Sequence, residues 1–212
     1  MRNEDFPISD PTPDLAPTAK RILDAGIRIM HEHGFAGLTF EKVARESGEN
    51  GALIRYHFGS KAGLIKAIVD TILYSEATGL LDLLSPLPPG KERKEAFSRR
   101  RHEVASNPDA FRPFFDLLPH LLRNPELRPT LQELMKWYRS LDTWAISPAD
   151  REGIEDSDLE TLALLSVAVE DGLALQIQAD PDLDLRQAFS VWEEFVDQYL
   201  EKLRHSEGGR KT

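Results

Sequence analysis

Residues 38–61 read Leu-Thr-Phe-Glu-Lys-Val-Ala-Arg-Glu-Ser-Gly-Glu-Asn-Gly-Ala-Leu-Ile-Arg-Tyr-His-Phe-Gly-Ser-Lys. Two short helical runs flank a tight turn. Val43 and Ala44 lie inside the first run, and Thr39 precedes it as an N-cap, where a side-chain oxygen accepts from a free backbone N–H. Gly48 stands where the chain must reverse, and glycine reaches positive φ at little cost. The second run covers 50–57, with Leu53, Ile54 and Phe58 as its apolar anchors. This spacing outlines a helix-turn-helix, whose second helix enters a major groove.

The polar side of the second run carries the groups that DNA requires. Asn50 can bond base edges or phosphate. Gly51 and Ala52 are small enough for close approach, and the Ala52 methyl suits a thymine methyl. Arg55 can fork onto guanine. Tyr56 and His57 can donate to phosphate oxygens. Lys61 opens the following helix, where unpaired N–H groups and the helix dipole favour an anion. Thr39 offers the same geometry at the other end. Spacing alone also fits a two-helix corner of any helical protein, with Arg55 and Lys61 merely solvated.

Working outward, the charge is unevenly spread. The chain has 212 residues and a formal net charge of −10. Residues 1–19 carry net −3, residues 20–66 net +3, and residues 67–212 net −10. A basic block therefore precedes a large acidic one, and such asymmetry is more informative than the total. With 41% hydrophobic and 29% charged residues, the composition is that of a globular protein rather than a collagen, a mucin or a disordered chain. There is no cysteine, which excludes disulfides, thiolate zinc sites and cysteine nucleophiles.

Every long periodic stretch has helical spacing, so the expected fold is all-α. Helices are predicted near 18–33, 40–47, 50–57, 61–84, 91–106, 108–121, 126–146, 157–179 and 185–204. Gly34 is the expected cap of the first and Ser60 the N-cap of the fourth. Prolines 108, 113, 119, 125, 129, 148 and 181 punctuate or kink the second half. Residues 1–17, with four prolines, read as a flexible arm, and 205–212 as a frayed tail. No segment reads as the roughly 18 apolar residues of a membrane span, and the N-terminus lacks the pattern of a signal peptide. A cytoplasmic protein is expected, with no membrane partner.

Residues 18–66 resemble the DNA-binding domain of the tetracycline-repressor (TetR) family of bacterial regulators. The resemblance lies in Gly-Phe-Ala-Gly-Leu-Thr-Phe-Glu-Lys-Val-Ala and in Tyr56-His57-Phe58-Gly59-Ser60-Lys61. It covers about a quarter of the chain strongly. It implies a three-helix reading domain (18–66) and a helical effector-binding and dimerisation domain (67–204). By similarity, Thr39, Asn50, Gly51, Ala52, Arg55, Tyr56, His57 and Lys61 fall on positions that contact operator DNA. The implied partners are double-stranded operator DNA, an unidentified small-molecule effector and a second copy of the chain. Two positions depart from the family pattern. Glu49 replaces a usually apolar residue after the turn glycine, and Gly51 replaces an often longer polar one.

In the second half, Phe111, Phe114, Phe115, Leu118, Trp137, Tyr138, Leu141 and Trp144 are candidates for an apolar effector pocket. The same residues also fit a plain helical core. The expected dimer face uses Ser166 and Gly172 with Phe189, Trp192, Val196 and Tyr199, two helices per subunit forming a four-helix contact. Intramolecular packing is the other reading of that pattern. Glu170 and Asp171 read as structural or exposed rather than as ligand contacts. The competing class is an enzyme on a helical bundle, or a helix-turn-helix protein acting only through protein partners. His31 and His33 stand at i and i+2, which do not share a helix face. No HExxH, GxSxG or phosphate-loop pattern occurs. No catalytic residue, metal site or cofactor is therefore assigned.

Overall fold

The computed structural model describes residues 10–206. Residues 1–9 of the expected arm and 207–212 of the expected tail lie outside that range. Nine helices make up the regular structure of the described residues: α1 Pro17–Gly37, α2 Phe40–Ser47, α3 Gly51–Phe58, α4 Lys61–Leu84, α5 Lys91–Ala105, α6 Pro108–Arg123, α7 Arg128–Ile146, α8 Asp156–Ala179 and α9 Arg186–Ser206. No strand occurs among the described residues. The all-α expectation and most helix limits hold within two residues.

Local chemistry explains the limits. Pro17 starts α1, where its missing N–H would have had no intrahelical partner. Gly34 has φ 62° and ψ −172°, so it breaks the regular path of α1, and one more turn follows to Gly37. Gly48 caps α2 with φ 72° and ψ 12°, the left-handed conformation that the sharp turn requires. α8 opens on a capping box of Glu155 and Asp158. Pro113 and Pro119 are carried inside α6 rather than ending it.

The chain forms two compact units. One holds the stretch up to Gly79 with Arg112–Leu134; the other holds Leu80–Phe111 with the chain from Met135 on. This grouping differs from a simple division after residue 66. In the first unit α1 packs on α2 and α3. Ile22, Leu38, Val43, Ile54, Leu64 and Ile68 are all fully buried there. Each such side chain contributes about 1.5–3 kcal/mol by leaving water. In the second unit α5 packs on α8 and α9. Its core includes Ile146, Ile154, Leu159, Leu162, Val196 and Leu200, with Trp192 and Tyr199 against them.

α8 corrects one expectation. An 18-residue window within Asp156–Ala179 has a mean hydropathy of 1.3, enough by length and composition for a membrane span. Its inner side is core: Leu159, Leu162, Ala163, Val167, Ala174 and Ile177 are buried. Its outer side is apolar too, with Leu164, Leu165 and Leu175 exposed. An apolar helix of this kind is common in folded cores, and its outward leucines need another cover.

Candidate functional site

The turn before α3 is built by polar side chains that cap helices. Thr39 Oγ1 accepts from Lys42 N–H at 3.2 Å and starts α2. Asn50 Oδ1 accepts from Ala52 N–H at 2.8 Å and starts α3. Ser60 Oγ accepts from Gly63 N–H at 3.1 Å and starts α4. Asn50 was expected as a contact to base edges or phosphate. With its oxygen committed to the cap, its amide N–H groups are what it can offer, which suits phosphate better than a bidentate adenine contact.

α3 is held by one fully buried side chain, Ile54. Ala52, Arg55 and Tyr56 are exposed, with Tyr56 at 81%. Gly51, His57 and Phe58 are half-buried. A side chain added at Gly51 would meet no atom within 4 Å. Arg55 lies with its guanidinium carbon 5.9 Å from the Phe40 ring centre. The His57 ring sits edge-on to Tyr56 at 5.0 Å.

Leu53 departs from its expected role as an anchor. It is 37% exposed and lies on the outward side with Ala52 and Tyr56. Neighbouring positions on a helix point about 100° apart, and the core around this short helix takes Ile54 and leaves Leu53 at its rim. Leu53 thus adds an apolar group to the outward face. The signal for it was the adjacency of two large apolar residues in an eight-residue helix with one core face.

Glu49 does not confront an approaching phosphate. Arg21 on α1 donates to its carboxylate through Nε at 2.8 Å and also through Nη2. Arg21 Nη2 donates to Thr18 Oγ1 at 3.0 Å as well. Arg28 likewise faces Glu46 at 3.4 Å. Acids near the turn are therefore matched by bases of α1, leaving Arg55 and Lys61 outward. Lys61 Nζ sits 4.8 Å over the Phe35 ring, and Phe35 stacks on His120 at 3.7 Å. A half-open cleft of about 560 Å³ runs beside Lys61, with His120 and Arg123 on its wall.

The eight aromatic and leucine residues expected around a pocket do not fall in one unit. Phe114, Phe115 and Leu118 belong to the unit of the reading head; Phe111, Trp137, Tyr138, Leu141 and Trp144 belong to the other. Trp137, Leu141 and Trp144 are buried. The Arg93 guanidinium caps Trp144 at 4.2 Å.

The C-terminal unit instead encloses an ionic cluster. Arg101 of α5 pairs with Asp142 of α7 and with Glu170 of α8. Asp142 is 1% exposed. Burial pushes its carboxyl up to about 6, and the attraction of Arg101 only partly opposes this. Burial also raises Asp171, again opposed by Arg101. His102 pairs with Glu193 at 3.1 Å and lies over Phe189 at 3.9 Å. Burial lowers the His102 pKa, while Glu193 pulls the other way. Glu170 and Asp171 are thus partly buried beside Arg101, the structural one of their two expected roles.

The residues expected at a dimer face divide by burial. Ser166, Phe189 and Val196 are buried inside their own unit, and Trp192 and Tyr199 are half-buried. Only Gly172 is exposed. The outward residues of α8 are Leu164, Ala168, Gly172 and Leu175, at i, i+4, i+8 and i+11. Those of α9 include Val191 and Phe195, both at least half exposed. Phe195 stacks against Trp192 at 5.4 Å and Tyr199 at 6.4 Å. The apolar period of these helices thus has two stripes, one turned into the unit and one turned to solvent.

With this geometry in hand, known proteins give a consistent likeness. Residues 22–68 match the family model of bacterial regulatory proteins of the tetR family. The chain is 25% identical over 190 residues to the HTH-type transcriptional regulator BetI of Rhizobium meliloti (strain 1021), covering 85% of this chain and 88% of that one. The multidrug binding protein EbrR, solved with proflavin, aligns at a TM-score of 0.59 and 25% identity, covering 88% of this chain and 99% of that one. A transcriptional regulator from Rhodococcus sp. Rha1 shares the fold at a TM-score of 0.60 and 19% identity, covering 89% and 96%.

Proposed function

Because this chain belongs to the tetR family of bacterial regulatory proteins, as a helix-turn-helix transcriptional regulator, we propose that it is a repressor that grips a palindromic operator as a homodimer and lets go when a small molecule binds its C-terminal unit. The observation that carries this reading is the division of α3. Ile54 is fully buried, while Ala52, Leu53, Arg55 and Tyr56 all face outward. A short helix anchored on one side and bare on the other is what a major groove admits. In this reading Arg55 forks onto guanine, and Leu53 and Ala52 meet thymine methyls. Tyr56, His57, Asn50, Thr39 and Lys61 hold phosphates and set the register, with Gly51 allowing the backbone close.

One such helix reads only a few base pairs, so two copies are needed. Leu164, Ala168, Gly172 and Leu175 of α8, with Val191 and Phe195 of α9, supply the apolar face that a second copy covers. The protein acts in the cytoplasm, where its operator lies. Effector binding changes the spacing or tilt of the two reading heads, with α4 as the lever. That demands different effector affinity in the bound and released states. EbrR was solved with proflavin, a flat aromatic cation, and this supports a cationic effector here.

Footprinting on the DNA upstream of the gene tests the reading. A protected palindrome with two half-sites about one helical turn apart is expected. Protection should fall steeply with added salt as released counterions are lost from the balance. A monomeric protein with no preference for that DNA over random duplex overturns it.

A further inference from the structure

The C-terminal unit holds a guanidinium between two carboxylates and an aromatic ring. Terminal nitrogens of Arg101 meet carboxylates on two different helices, Asp142 and Glu170. The guanidinium carbon is 4.9 Å from the centre of the Phe97 ring, within reach of cation–π attraction. Asp171 also feels this one positive charge. The neighbouring cations are committed elsewhere: Lys94 pairs with Asp197 and His102 with Glu193. Three carboxylates therefore draw on a single guanidinium. That Asp142 is still pushed up to about 6 with Arg101 in contact fits an acid that is under-neutralised.

The cavity beside this cluster is small, about 30 Å³, and Phe97, Phe189 and Trp192 line it with Arg101, Asp142 and Glu170. It has room for about one water, far below the hundreds of Å³ of a ligand pocket. Arg101 is one of the side chains that line it. Its side chain is 13% exposed, so part of it still reaches solvent. Withdrawing it would uncover two carboxylates flanked by aromatic rings.

We propose that Asp142, Glu170 and Phe97 form a seat for an organic cation, and that Arg101 occupies this seat as a built-in competitor until such a cation displaces it. The proposal rests on the effector reading above, because the displacing cation is the releasing ligand. Being tethered, Arg101 competes at an effective concentration on the order of millimolar or more. Apparent affinity for any cation is its intrinsic affinity multiplied by the fraction of time the seat is vacant. Weak, small cations are thereby ignored, and a flat cation that gains contact with the rings gets through.

The test is chemical rescue in the full chain. Arg101→Ala empties the seat, and thermal melting is followed against methylguanidinium, with neutral methylurea as control. Saturable stabilisation of the variant by methylguanidinium, at concentrations that leave the wild type unmoved, is the expected result. No rescue, or equal rescue by methylurea, overturns the seat. Should Arg101→Ala fail to fold, Arg101→Lys keeps the charge but loses the fork, and it should bind proflavin at least threefold tighter than wild type. Unchanged or weaker binding then overturns the competitor role. Rescue by methylguanidinium in a protein whose DNA complex ignores proflavin leaves the seat standing and removes the cationic effector. Release by proflavin from wild type and variants alike, without rescue, removes the seat and keeps the effector.

Discussion

The two units arrange charge in opposite ways. The reading head keeps its bases at the surface: Arg55 and Lys61 are exposed, and its acids Glu46 and Glu49 are met by Arg28 and Arg21. Its interior is apolar around Ile22, Val43 and Ile54 and buries no charged side chain among the described residues, though Thr130 is buried in the same unit. The C-terminal unit turns this about. It buries Asp142 and draws Arg101, Glu170 and Asp171 in beside it, while Leu164, Leu175, Val191 and Phe195 stand outside. Surface charge costs little and steers an approach to DNA. Buried charge and exposed leucine both cost free energy, and they persist where a ligand or a second subunit is to be met. The contrast supports the different work proposed for each half.

The sharpest way to break the comparison is at the outer leucines. Replacing Leu175 and Phe195 together by Glu should leave the fold intact and split the dimer. Operator affinity should then fall by about a hundredfold or more, since a lone head keeps only half of the contacts and loses the avidity of the pair. Sedimentation equilibrium and gel shift check this pair of effects. A dimer that survives would move the interface elsewhere.

Next in size is the head. Arg55→Ala should cost about 1–3 kcal/mol in operator binding and relax preference at one base pair, with little change in melting temperature. Lys61→Ala should weaken all sequences alike. Binding to a panel of single-base operator variants separates the two, and a uniform loss for Arg55→Ala would make it a phosphate contact.

A third test reads the buried acid through pH. Burial holds the folded Asp142 carboxyl at about 6, above its ordinary value of 3.8. The folded state then binds this proton more tightly than the unfolded chain. Its stabilising contribution is complete below about pH 4 and is lost as pH rises through about 6. Asp142→Asn lacks that titration. The melting temperature of the wild type relative to the variant should therefore fall between about pH 4 and pH 7, and a flat difference would contradict it.

The smallest effect belongs to the rim of the head. Arg21→Ala frees Glu49, but the pair is partly exposed, so stability should change by no more than about 1 kcal/mol. Operator binding should weaken more at low salt than at high salt, because an uncompensated acid then faces phosphate. Equal loss at both salt levels would make the pair a purely structural brace.

How far the residues alone led varies with locality. Helix limits were readable because proline, glycine and capping side chains act within a few positions: Thr39, Gly48 and Ser60 act as expected, whereas the cap at Asn50 was not among the expectations. The outward groups of α3 were readable for the same reason, Leu53 excepted. The faces of α8 and α9 were not, because both helices are apolar on more than one side, and a period cannot say which stripe a neighbour covers. Nor was the Arg101 cluster, whose pairing with Asp142 spans 41 positions and exists only once α5 and α7 are side by side. Charges at helical spacing look alike whether water or another helix receives them.

The modest hold on α3 has a consequence for descent. A segment fixed by Ile54 and a pair of end caps leaves its exposed side chains, Ala52, Leu53 and Tyr56 among them, outside the core. Lineages can swap those letters without first repairing the scaffold, so a duplicated gene can acquire a new genomic address by a few substitutions while the machinery behind it stays the same.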